Sequence, residues 1–147
     1  MTAWLLALGL TATSLVPCRA RCTCSYPHDV PRAYAAAAAV LTGIVVSVRD
    51  SSRAGTVLNS LQVARVVVTE AWKGVAVGDT LDVVTYSTTA SCGYPVRPGA
   101  SHLLYGHRED EASGLWTTSC SLSRPLSAAG DQRRQLAQLP RASPNSQ

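Results

Sequence analysis

After its first 20 residues the chain has no apolar run long enough to cross a bilayer as a helix. It has no Cys-x-x-Cys pair, which excludes a thioredoxin-like redox site. It has no glycine-rich phosphate loop, no paired-carboxylate motif and no nucleophile motif around its serines, so an enzyme is not expected. Lysine is nearly missing: Lys73 stands alone among thirteen basic residues, and the arginines are scattered rather than gathered in a run. A net charge of +4 would by itself admit nucleic acid, but no basic stripe is interleaved with aromatic residues, so nucleic acid is not an expected partner. There are no internal repeats.

What is present suits one domain. The chain has 147 residues, 46% of them hydrophobic and 15% charged, which is enough to bury a core and too apolar for a disordered chain. Trp4 to Val16 is apolar or small throughout, and Cys18 and Ala20 take the −3 and −1 places of a signal-peptidase site, although no Lys or Arg precedes the run. The expectation is a signal peptide over residues 1–20, a domain over 21–139 and a frayed tail over 140–147, in an exported protein with no membrane span. Two variants stand beside it: an uncleaved apolar N-terminal helix, and a lipid anchor on Cys18, since "LVPC" loosely resembles a bacterial lipoprotein box.

Five cysteines occur, at 18, 22, 24, 92 and 120. Cleavage after Ala20 leaves four, and an even count in an oxidising compartment argues for two disulfides. Cys22 and Cys24 are too close in sequence to bond each other without strain, so each joins either Cys92 or Cys120. A zinc site of four thiolates is the rival reading, but such sites usually use two short Cys-x₂₋₄-Cys knuckles, and only one Cys-x-Cys is present.

Five strands are expected. "PRAYAAAAAV" (31–40) opens with Pro ahead of alanines and reads as a short helix. β-Branched runs predict strands at 40–49 and 61–72, and further strands follow at 79–87, 101–108 and 114–119. "SAAGDQRRQLAQL" (127–139) predicts a closing helix, weakened at Gly130. Five strands of this length in a small all-β domain with flanking helices close into a barrel or form a sandwich.

In this frame "CTCSYPH" resembles the N-terminal segment of the tissue inhibitors of metalloproteinases. "LTGIVVSV", "VTEAWKG", "SCGYPVRPGASHLLYG" and "TTSCSLSRPLSAA" are similar, in order, to the wider netrin-like module, over about residues 22–139. The resemblance implies a five-stranded, OB-fold-like closed barrel with a short N-terminal helix and a C-terminal helix. It implies the pairing Cys22–Cys92 and Cys24–Cys120. A monomer without a cofactor or a metal of its own is expected. The resemblance also implies inhibition of a zinc metalloendopeptidase in trans: the α-amine and carbonyl of Cys22 would bind the protease zinc, Thr23 would enter the pocket beyond it, and Cys24, Ser25, Tyr26 and Pro27 would complete the contact edge. A catalytic zinc keeps an open position, and an amine with a pKa near 8 can give up its proton to it at neutral pH. Cys22 must be the first residue for this, because Arg21 in front of it would turn the amine into an amide. The chain departs from the family where "AYAAAAA" stands in place of a further cysteine, and no counterpart of the inhibitors' second domain occurs in these residues. The alternative expectation is an exported netrin-like binding module with no protease target.

The other polar residues read as structure. His28 is an exposed loop histidine; His102 and His107, five apart on one strand, face opposite sides and make no metal pair. Glu109, Asp110 and Glu111 form a solvated loop tip, Ser119 and Ser121 merely flank Cys120, and Trp72, Tyr94 and Tyr105 are assigned to packing.

Overall fold

The computed structural model describes residues 22–25, 29–52, 60–109 and 114–142. Helix α1, Val30–Ala36, starts at Asp29, whose side chain accepts a hydrogen bond from the Arg32 amide at 2.9 Å, and it carries Pro31 in its first turn. The alanine run does not stay helical. Ala37 is already extended, the Ala38 amide donates to the Gly106 carbonyl at 2.8 Å, and Ala39 begins strand β1, so tertiary pairing overrides alanine's helix propensity.

Strand β1 (Ala39–Ser52) pairs antiparallel with β2 (Ser60–Lys73), and β2 pairs antiparallel with β3 (Thr80–Tyr86). On its other edge β1 pairs with β4 (Ser101–Gly106) through Ala39 to Ile44. The two-residue strands β5 (Leu115–Trp116) and β6 (Arg124–Pro125) lie at the ends of the sheet, β5 parallel to β3 and β6 antiparallel to β4. The order is β5-β3-β2-β1-β4-β6, a mixed six-stranded sheet that is not closed. This corrects the expected five-stranded closed barrel on two points. The segment 114–119 yields only Leu115 and Trp116 as strand: the Thr117 amide still reaches the Val84 carbonyl of β3 (3.0 Å), and the chain then turns at Thr118, whose carbonyl accepts from the Ser121 amide (3.1 Å). Arg124–Pro125 adds a sixth strand that its proline concealed, and the edge position lets that proline in. A two-hydrogen-bond bridge between His107 and Trp116, at 2.8 and 2.7 Å, brings the chain just past β4 to β5.

Both faces of the sheet are buried near β1, which explains why "AVL" (39–41) does not alternate in polarity. Ala39, Leu41, Val45, Val66, Val68, Val83, Leu104 and Leu115 form one core. Val40, Trp72, Leu103 and Tyr105 pack on the other face under α1 and the second helix, α2 (Gly130–Leu136), through Val30, Ala33, Ala129 and Leu136. Gly130 costs α2 little, since it is the helix's first residue. Across β1, β2 and β3, Asp82 takes both Arg65 (3.1 Å) and Arg49 (3.3 Å), and the Arg65 hydrogen bond leads in holding its carboxyl below the ordinary range.

Lys73 and Gly74 join the layers. The Lys73 ammonium donates to the Tyr34 and Ala35 carbonyls at 3.0 Å each, capping the C-terminus of α1. Gly74 has φ +73°, and a Cβ there would sit 2.1 Å from the Ala38 carbonyl oxygen. Residues 140–142 are also held: the Ala142 amide donates to the Trp72 carbonyl (3.0 Å), the Arg141 guanidinium to the Ala71 carbonyl (3.1 Å), and the Tyr34 hydroxyl to the Pro140 carbonyl (2.6 Å). The start of the expected frayed tail is therefore bound to β2, and residues 143–147 lie outside the described residues. Among the described residues no helix is long and apolar enough to cross a membrane.

Gly74→Ala is expected to lose about 3 kcal/mol in urea unfolding, from left-handed strain plus the clash with Ala38. Gly78→Ala, at φ +90° with nothing within 4 Å of its added carbon, should lose only about 1 kcal/mol.

Candidate functional site: the disulfide-pinned N-terminal segment

Cys22 is bonded to Cys92 and Cys24 to Cys120, with Cα–Cα distances of 5.6 and 5.3 Å. This is the pairing that the resemblance implies. All four sulfurs are engaged, which leaves no thiolate for the four-cysteine zinc arrangement. Among the described residues no group of His, Cys, Asp and Glu is placed to hold a metal.

Each cysteine is met by a built turn. Thr88 opens a 3₁₀ turn over Thr89–Ser91, and its hydroxyl accepts from the Ser91 amide at 3.3 Å. The Cys92 amide closes the turn on the Thr89 carbonyl at 3.1 Å, and Cys92 itself takes a left-handed conformation, φ 62° and ψ 25°. A non-glycine residue in this region costs about 1–2 kcal/mol, so the turn and the disulfide hold Cys92 against a local preference. Gly93 follows because a Cβ there would lie 2.1 Å from the Tyr86 carbonyl oxygen. On the other side the Thr118 hydroxyl accepts from the Cys120 amide (3.2 Å), and the Thr118 carbonyl accepts from the Ser121 amide (3.1 Å). The two turns are joined directly, since the Ser119 amide donates to the Cys92 carbonyl at 2.9 Å.

Residues 22–25 thus lie across two turns that are hydrogen-bonded to each other. Cys22 and Cys24 are half-buried, while Thr23 and Ser25 are exposed. Residues 22–25, 88–93 and 118–121 include no charged side chain, so the ridge is a neutral surface of hydroxyls, sulfur and backbone. Of the residues that the sequence assigns to this edge, Cys22, Thr23, Cys24 and Ser25 come together here; Tyr26 and Pro27, like His28, lie outside the described residues. The sequence reading missed the turn Thr88–Ser91 and the link through Ser119. The cluster "STTASCG" carries the usual turn-forming residues and was the available signal.

Beneath the ridge, Tyr94 and His102 form a buried pair. Each is 5% exposed, their rings meet edge to face with centroids 5.4 Å apart, and the Tyr94 hydroxyl lies 2.7 Å from His102 Nδ1. The Tyr94 amide also donates to the buried Thr85 hydroxyl at 2.8 Å. Burial raises the Tyr94 pKa and lowers that of His102. Packing, the role expected of Tyr94 and Tyr105, is what both do; Tyr105, 1% exposed, is pushed up to about 12 by burial. Trp72, 2% exposed, is covered by the helices.

No protein-family model matches the chain, and no curated protein matches it in sequence.

The two disulfides close long loops, with sequence separations of 70 and 96, and in the chain-entropy account each contributes at most about 4–5 kcal/mol. Removing the second as Cys24→Ser with Cys120→Ser should lower unfolding stability by about 2–5 kcal/mol. Thiol titration of the folded wild type should detect nothing from these four cysteines, and two or more reactive thiols among them would contradict the framework.

Proposed function

We propose that the chain is an exported inhibitor of a zinc metalloendopeptidase, acting through the ridge at Cys22–Ser25. The observation that carries this reading is the fixed and exposed N-terminal segment, with a disulfide at Cys22, another at Cys24, and Thr23 and Ser25 left uncovered. The chemistry follows from that placement. When Cys22 is the first residue, its α-amine and carbonyl form a five-membered chelate for a metal ion that keeps an open coordination position. The disulfide to Cys92 fixes both atoms before binding, which reduces the ordering cost of association. Thr23, uncharged and exposed, then reaches past the metal into the protease's specificity pocket. The chain supplies no hydrolytic group in this scheme and acts as a ligand in trans. Disulfides and the expected leader both support an extracytoplasmic location.

A second reading keeps the same module without a protease target. Arg21 favours it, because a chain that begins there has an amide nitrogen at Cys22, which is a far poorer metal ligand.

Intact mass and N-terminal sequencing of the exported protein separate the two. A chain that begins at Cys22 with both disulfides intact should inhibit the catalytic domain of at least one zinc metalloendopeptidase. Adding a single alanine before Cys22 should weaken that inhibition by about 100-fold or more, corresponding to about 2.7 kcal/mol. A native start at Arg21, or equal inhibition with and without the added residue, would defeat the chelation mechanism.

A further inference from the structure

Tyr94 is two residues from Cys92, so the buried Tyr94–His102 pair secures the base of the turn that holds Cys22. We infer that this pair is an acid-sensitive latch: protonation of His102 releases residues 93–97 and loosens the seat of the N-terminal ridge while both disulfides stay intact. The inference concerns the fold and stands whichever partner the ridge takes.

The hydrogen-bond inventory of the pair is the first argument. Neutral His102 can share one proton with the Tyr94 hydroxyl in either tautomer, but its Nε2 is buried and has no partner among the described residues. The imidazolium would need acceptors at both nitrogens, and it would place a charge in the core with only the Tyr94 oxygen to receive it. The surroundings offer no relief. β1 presents Gly43 opposite His102, and β6 presents Pro125, so neither supplies a carboxylate in register. Arg124 of β6, the charged neighbour that acts on Tyr94, is in register with Leu103 and not with His102, and as a cation it supplies no acceptor for an imidazolium. Burial alone accounts for the lowered pKa of His102.

The second argument identifies which side yields. His102 lies within β4, paired to β1 on one edge and to β6 on the other. Tyr94 lies in 93–97, a stretch with no strand pairing, held by the Gly93 amide on the Thr88 carbonyl (2.9 Å), the Tyr94 amide on Thr85 and the burial of Val96. When the closed state cannot accept the proton, the loop gives way before the strand does.

The sign is fixed by linkage. The closed-state pKa of His102 lies below its ordinary value of about 6.5, so the open state binds more protons as pH falls below that value. The latch is fully held above about pH 6.5 and weakens below it. Between pH 7.5 and 5.5 the opening equilibrium should rise by up to about tenfold.

Hydrogen exchange on the full chain, corrected for intrinsic rates, reads this directly. The Gly93 and Tyr94 amides should lose up to about tenfold in protection between pH 7.5 and 5.5, while the Val66 amide within β2 keeps its own. His102→Gln should remove the pH dependence, whereas His107→Gln and His28→Gln should retain it. Should His102→Gln not fold, the ring resonances of wild-type His102 provide the second measurement. Protection at Gly93 and Tyr94 that does not change with pH, an undiminished pH dependence in His102→Gln, or a His102 that protonates near pH 6.5 with the loop still protected would each overturn the latch. Thiol titration at pH 5.5 should remain negative, and released thiols would overturn it as well.

Discussion

The hydrogen bond from the Ser119 amide to the Cys92 carbonyl is the contact around which the candidate site is organised. Each disulfide alone would fix one point of the N-terminal segment. Because the two receiving turns are bonded to each other, the two fixed points have a fixed spacing, and Cys22–Ser25 is held at two places across them. The left-handed geometry of Cys92, the close approach at Gly93 and the side-chain bonds of Thr88 and Thr118 all follow from the need to present two sulfurs at that spacing.

The same arrangement ties the surface to the core. Residues 88–93 run directly into Tyr94 and Val96, which belong to the larger hydrophobic cluster. A ridge built this way takes its rigidity from covalent bonds above and from one polar pair below. Only the lower of these responds to conditions milder than reduction.

Much of this was legible in the sequence, and the parts that were not share a cause. The strands at 40–49 and 61–72 were visible because β-branched residues dominate them, and β1 and β2 extend beyond those bounds into polar ends that composition does not mark. The helix after Pro31 was visible, but the alanine run could not show where it stops, since the stop is set by Gly106 and Gly74, both distant in sequence. The strand at 114–119 was overestimated and Arg124–Pro125 was missed because two-residue edge strands are defined by their neighbours and not by their own residues. At the candidate site, Cys-x-Cys marked the segment that the two disulfides pin, whereas the bond between Ser119 and Cys92 is made by backbone groups and carries no pattern that a single sequence can show.

The binding of Pro140–Ala142 to α1 and β2 bears on how the chain assembles. The Tyr34–Pro140 contact spans 106 residues and the Arg141–Ala71 contact spans 70, so the end of β2 is covered by a segment synthesised long after it. Until that segment emerges, the edge at Ala71–Lys73 has the Tyr34 hydroxyl on the Trp72 carbonyl (3.2 Å) but lacks the Arg141 and Ala142 bonds, and a partly covered strand edge is the kind of surface on which partly folded chains associate. A chaperone that shields nascent chains would have most to do in the interval between the completion of β2 and the arrival of Ala142.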